Sequence, residues 1–300
     1  MPFLGELAAL GTSLCFSFGS VMFTNAGRMI GAALVNRMRL LMALLVVMLW
    51  HALTYGQVLP FDAAPERWFW LGVSGLVGFV LGDAFLFQSF VMIGPRLAML
   101  MMALAPVLSS ILAAVFLKES LVPMELLGIG VTLAGIVVVI SERRGRREDA
   151  PADNRRYLIG LLCGLGAAVG QAGGLILSKL GLAGDFPALS GNVIRLLAAV
   201  LAIWAIAAVN RQVFSSIRAV RAAPRAVLLM SGGVILGPVL GVWLSLVAVQ
   251  NTNVGVASTL SSLMPIFLIP ISYFAFGERV TRQAVVGTVL AFVGMVVLFL

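Results

Sequence analysis

The stretch LGDAFLFQSF, residues Leu81 to Phe90, holds an acid inside a run of hydrocarbon side chains. A carboxylate in such surroundings is costly unless it is paired, hydrated or used. Asp83 therefore has two readings. It is a partner for a substrate ammonium group or a proton acceptor, or it is a structural carboxylate bonded to a neighbouring helix. On a helix Asp83, Phe87 and Phe90 share a face, and Gly78 and Gly82 let a neighbour approach closely. One acid beside aromatic walls suits an amphipathic organic solute.

Arg39 and Arg195 are the matching cations. They attract a carboxylate at a cavity mouth or gate by pairing with an acid. The alternative is a side chain that snorkels to the headgroups. Arg39 lies near a helix end, which favours snorkelling; Arg195 lies deeper, after Asn192. Gln88, Gln171, Asn192 and Trp243, with Asn25 and Ser245, are polar or amphipathic side chains scattered through apolar runs. They line a wet passage, or they make interhelical hydrogen bonds worth about 0.6–2 kcal/mol each. Pro106, Pro238 and Pro265, with Pro270, remove backbone donors and act as hinges or static kinks.

Other chemistry is poorly supplied. His51 is the one histidine, and Cys15 and Cys163 have neither metal nor redox spacing. The segment GVSGL lacks the spacing of a serine-hydrolase elbow, and there is no Walker phosphate loop. The expectation is a protein that is not an enzyme and holds no metal or cofactor.

The elements that carry these residues follow from composition. Of 300 residues, 61% are hydrophobic and 11% charged, with mean hydropathy +1.09. Soluble domains carry about 25% charge. Lipid must be the solvent, and backbone groups in lipid are satisfied only in helices or closed barrels. The apolar runs are long and do not alternate, so they are helices. Ten spans are expected, at 7–27, 31–52, 67–91, 96–117, 124–141, 157–181, 188–209, 226–249, 254–276 and 281–300. The polar run SERRGRREDAPADNRR joins two halves, giving a first five-helix unit at 1–142, a linker at 143–156 and a second unit at 157–300. The net charge of +8 sits in short connections and argues for a bilayer, not for nucleic acid.

The halves repeat. Pro106 matches Pro265, Glu119 matches Glu278, Gly128 matches Gly287 and Gly135 matches Gly294, all at an offset of 159. Gly11 matches Gly166, Gly78 matches Gly233 and Gly82 matches Gly237 at 155, and Arg39 matches Arg195 at 156. On that register Asp83 faces Pro238, Gln88 faces Trp243, and a small insertion falls near VQNTN. Five helices per half is an odd number, so the second half enters from the opposite side. The fold class is thus an all-α membrane protein of ten transmembrane helices in two inverted five-helix repeats, with a site near the midplane where they meet. Inverted symmetry would set Arg39 and Arg195 near opposite faces. A monomer suffices, since both halves are present; a dimer stays open. Sixteen of the twenty basic residues lie on the linker side, which puts the linker in the cytoplasm and both termini outside.

The segment GDAFLFQSFVMIGPRLAMLMMALAPVLSSILAAVFLKESL and its counterpart LGPVLGVWLSLVAVQNTNVGVASTLSSLMPIFLIPISYFAFGERV resemble the bacterial EamA-type proteins of the drug/metabolite transporter superfamily. The resemblance covers nearly the whole chain. It rests on the glycine before an acid in the third span, Leu-x-Pro in the fourth and ninth, and Gly-Glu-Arg before the last. It implies ten helices around a central cavity, with the fifth and tenth peripheral. It also implies transport of small metabolites, often export; with the charge pattern of a bacterial inner membrane protein, the expectation is a secondary transporter, an exporter or exchanger of a small-molecule substrate, with a proton as candidate coupling ion. Relatives with cytoplasmic termini oppose the charge count. Lys118-Glu119 departs from Gly-Glu, and Phe16 stands where relatives carry tryptophan. The alternative is a scaffold or receptor that keeps the fold without transporting.

Overall fold

The computed structural model describes residues 3–105, 107–108, 111–112, 123–144, 151–183, 186–242, 244, 247–248, 260, 263–276 and 281–298. Among them the regular structure is all helical. The helices are α1 Leu4–Ile30, α2 Ala32–Tyr55, α3 Pro65–Gly75, α4 Asp83–Ile93, α5 Pro95–Met102, α6 Pro123–Arg144, α7 Pro151–Gly181, α8 Ala188–Val209, α9 Val213–Ala222, α10 Pro224–Val234, α11 Met264–Phe276 and α12 Arg282–Leu298. Two π-helical segments interrupt the series: π1, Leu76–Gly82, fuses α3 to α4, and π2, Ile235–Gly241, extends α10.

Among the described residues, six stretches are long and apolar enough to cross a bilayer: Leu4–Ile30, Ala32–Tyr55, Pro65–Ile93, Asn154–Ser178, Ala188–Val209 and Pro224–Gly241. Leu126–Val139, Met264–Phe276 and Arg282–Val297 are shorter apolar helices. Leu45, Leu49 and Leu53 stand exposed along one side of α2, as a face solvated by acyl chains requires. Helical backbone enters the polar run from both ends. Helix α6 runs on to Arg144 and α7 starts at Pro151, which leaves 145–150 outside the described residues.

Small residues decide how the helices pack. The buried side of α1 is built from Gly5, Ala8, Ala9, Thr12, Ser13, Ser17, Gly19 and Ser20, and it lies on α10, π2 and α11. Ser13 donates to the Leu260 carbonyl at 2.6 Å. Part of this arrangement recurs with the halves exchanged, since α7 lies on α3 and π1 as α1 lies on α10 and π2. A Cβ on Gly170 would stand 2.6 Å from the Gly82 Cα, so only glycine permits that approach. Helices α6 and α12 pack on each other in opposite directions. A Cβ on Gly135 would meet the Ala291 nitrogen at 2.2 Å, and one on Gly294 would meet the Thr132 nitrogen at 2.3 Å. Thr132 and Ala291, like Gly135 and Gly294, are 159 residues apart, so the contact maps onto itself when the halves are swapped.

The π segments correct the repeat register. They are equal in length and separated by 159 residues, not 155. Gly78 therefore matches Gly237, Gly82 matches Gly241, Asp83 matches Val242 and Gln88 matches Val247. Pro238 is the mate of Phe79, not of Asp83. The insertion falls between Arg195 and π2, where the connection contains the extra helix α9, and not near VQNTN.

Candidate functional site

Helix π1 sets the position of Asp83. The Asp83 amide hydrogen-bonds back to the carbonyls of Gly78 and Val80, skipping that of Phe79. Asn36 of α2 takes up the Phe79 carbonyl, donating from Nδ2 at 3.2 Å. Breaks of this kind are common at functional sites, because the extra residue re-aims the side chains that follow. In π2 Val242 bonds back to Gly237 and Val239 in the same pattern, around Pro238.

The Asp83 side chain is buried, with both oxygens engaged. Gln171 of α7 donates from Nε2 to Oδ1 at 3.0 Å. Arg39 of α2 forms an ion pair and hydrogen bond with Oδ2 and also donates to Asn36 Oδ1 at 3.2 Å. The Arg39 guanidinium lies 5.1 Å from the Phe87 ring centre and 5.9 Å from that of Phe23. Arg195 of α8 lies over the Phe79 ring at 4.5 Å, and its charge reaches Asp83. A single unpaired ion buried this way costs several kcal/mol; pairing and hydrogen bonding are what make the cluster tolerable.

A cavity of about 320 Å³ opens beside this cluster. Its walls come from both halves: Phe16, Ser20 and Phe23 of α1, Arg39 of α2, Phe79 of π1, Asp83, Phe87 and Phe90 of α4, Gln171 of α7, Asn192 of α8, Pro238 of π2 and Met264 of α11. Phe87 packs edge-on against Phe23 and Phe90.

The sequence-derived site residues divide as follows. Asp83, Phe87, Arg39, Gln171, Asn192 and Pro238 line one cavity. Arg195 stands at its edge against Gly78 and Phe79. The snorkelling reading of Arg39 is overturned, because its side chain turns inward to an acid. So is the placement of the two arginines at opposite faces, since Arg39 pairs with Asp83 and Arg195 stands against Gly78 and Phe79 in the turn just before it. Gln88 is half-buried and does not line the cavity. Pro265 is buried in α11. Trp243 and Pro106 lie outside the described residues. Asn36 is the residue that sequence reasoning missed. Its signal was its place in Asn36-Arg37-Met38-Arg39, one helical turn ahead of Arg39 on the same face.

A second polar link lies away from the cavity. His51 Nδ1 faces the Gln57 carbonyl at 2.6 Å and Nε2 faces the Ser190 hydroxyl at 2.9 Å. A carbonyl can only accept, so Nδ1 carries the proton. No group of three His, Cys, Asp or Glu side chains suited to a metal ion occurs among the described residues.

The model of the EamA-like transporter family matches twice, over residues 3–141 and 158–300. The chain belongs to the EamA-like transporter family. It is thereby a multi-pass membrane protein of the drug/metabolite transporter superfamily. A protein of known crystal structure is similar over 98% of this chain and 97% of its own, at 19% identity and a TM-score of 0.63. That likeness is one of fold. No curated protein matches the sequence. Within the EamA-like frame, the two matched stretches meet at the cavity, each supplying part of its wall.

Proposed function

We propose that this EamA-like protein is a secondary transporter that exports or exchanges a small organic metabolite across a bacterial inner membrane. Ten spans form two inverted five-helix repeats around the central cavity and alternate its access from side to side. The observation that carries the reading is the buried Arg39–Asp83 pair in the wall of a cavity shared by both matched repeats. Polar groups at such depth are retained where a solute or ion passes.

The antiparallel, self-mapping contact of α6 with α12 supports the inverted arrangement. Reciprocal packing of α1 on π2 and α7 on π1 supports a two-state exchange of roles. Asp83, Arg39, Gln171, Asn192 and Phe87 are the proposed substrate or coupling residues, with Arg195 behind them and a proton as coupling ion. Both π segments, with Pro238 inside the second, are the proposed points of bending; Pro265 and Pro106 are secondary ones.

Counterflow into proteoliposomes tests the proposal, using a broad panel of labelled metabolites and the Asp83→Asn protein as control. Saturable exchange of at least one compound, lost or pH-shifted in the variant, is expected. No exchange of any compound by a folded, reconstituted protein rejects transport and leaves a scaffold or receptor.

A further inference from the structure

We propose that the cavity takes an organic anion: a single carboxylate on an apolar, ring-bearing skeleton. This rests on the transporter reading above and adds the charge and shape of the solute.

The charge follows from what surrounds Asp83. It is the only acid in the cavity wall, and Arg39 the only base, among the described residues. Arg195 stands at the edge, close enough for its charge to reach the same carboxylate. Two fixed cations thus share one fixed anion. Arginine stays protonated in protein surroundings, so the excess positive charge is permanent. An ammonium group at Asp83 would have to compete with donors already in place, since Oδ1 takes the Gln171 amide and Oδ2 takes Arg39. Beside these groups two guanidinium donors remain without a partner: Arg39 Nε and Arg195 Nε are buried with no hydrogen-bond partner among the described residues. A buried cation without its own counter-ion is expensive, and an incoming carboxylate removes that cost. A guanidinium presents donors in a fork that matches a carboxylate. Asp83 then acts as a resident competitor, holding Arg39 until the solute anion arrives.

The shape follows from the other walls. Phe16, Phe23, Phe87, Phe90 and Met99 face the space, so a hydrocarbon body is favoured over a sugar or a polyol. The volume, about 320 Å³, lies at the lower end of small-molecule sites. It fits one ring with a short chain better than a fused polycycle.

Calorimetric titration of the full chain in detergent tests this with three matched probes: 3-phenylpropionate, 3-phenylpropanol and 3-phenylpropylamine. The acid is expected to bind at least ten-fold more tightly than the alcohol, and the amine most weakly. Arg195→Gln should bring acid and alcohol together, while Arg195→Lys keeps part of the gap. Asp83→Asn removes the competing charge and should tighten the acid several-fold. Should the Gln variant fail to fold, the Lys and Asn variants carry the test. Equal binding of the three, preference for the amine, or binding of none overturns the inference. Counterflow of the broad panel is read separately. If it succeeds while these probes fail, transport stands and the anion assignment falls; if it fails while the acid binds, the reverse holds.

Discussion

Gly75 of α3 packs directly on the backbone of Arg195 in α8: a methyl group on Gly75 would lie 2.2 Å from the Arg195 carbonyl oxygen. A backbone atom inside a helix cannot rotate away as a side chain can. Gly75→Ala should therefore lower stability by about 1–3 kcal/mol, the usual cost of overpacking. Thermal unfolding in detergent reads this. Gly130→Ala is the control, because a Cβ there meets nothing within 4 Å. Equal unfolding temperatures for the two variants would show that α3 and α8 do not approach this closely.

Asn36 should behave as a structural hub. It donates to the Phe79 carbonyl and accepts from Arg39. Asn36→Leu leaves a buried carbonyl and a guanidinium proton unmatched, at about 1–3 kcal/mol for each group left without a partner. Asn36→Asp keeps an acceptor for Arg39 but offers the carbonyl no amide. Both variants should unfold earlier than the parent in a denaturation series. A Leu variant as stable as the parent would remove Asn36 from the network.

The Arg39–Asp83 pair should be strongly non-additive. Removing one member of a buried ion pair costs about 3–5 kcal/mol, whereas replacing both with apolar side chains is often near neutral. Asp83→Leu alone is expected to be the worst case, since it leaves Arg39 and Arg195 together without an anion. The double variant Arg39→Met Asp83→Leu should recover much of the loss. A double-mutant cycle on unfolding free energies checks it, and strict additivity would count against the pair.

Arg37 should hold α9 in place. Its guanidinium donates to Ser216 Oγ and to Gln212 Oε1, the latter at 3.0 Å, while Phe214 on the same helix is exposed. Arg37→Leu should raise amide exchange over residues 213–222 at least ten-fold. Exchange over α6 and α12, which pack chiefly on each other, should stay as in the parent. Unchanged exchange in α9 would mean that other contacts fix it.

Much of the architecture was legible in the chain, because glycine and proline leave marks that apolar residues do not. Gly128 with Gly287 and Gly135 with Gly294 gave the right offset, and the structure puts the last of these pairs into one self-mapping contact. Asp83 stood out because acids are rare in hydrocarbon. Three things stayed hidden. The π turns alter hydrogen bonding without altering composition, so Gly78 and Gly82 matched the wrong glycines by one helical turn. Arg39 looked like an end-of-helix residue since distance along α2 says nothing about α4 standing beside it. Asn36 was masked by the arginines around it, which made a buried polar network look like an ordinary basic helix start.

The crossed packing of α1 on π2 and of α7 on π1 has a consequence for biosynthesis. When the ribosome has completed only α6, Gly78 and Gly82 have no helix to lie against, because Gly174 and Gly170 have yet to be made. The nascent amino-terminal portion must wait in the bilayer with its glycine seam open, shielded by lipid or by the insertion machinery. Two separately translated fragments, cut in the polar linker, would then complete each other only when both are made in the same cell.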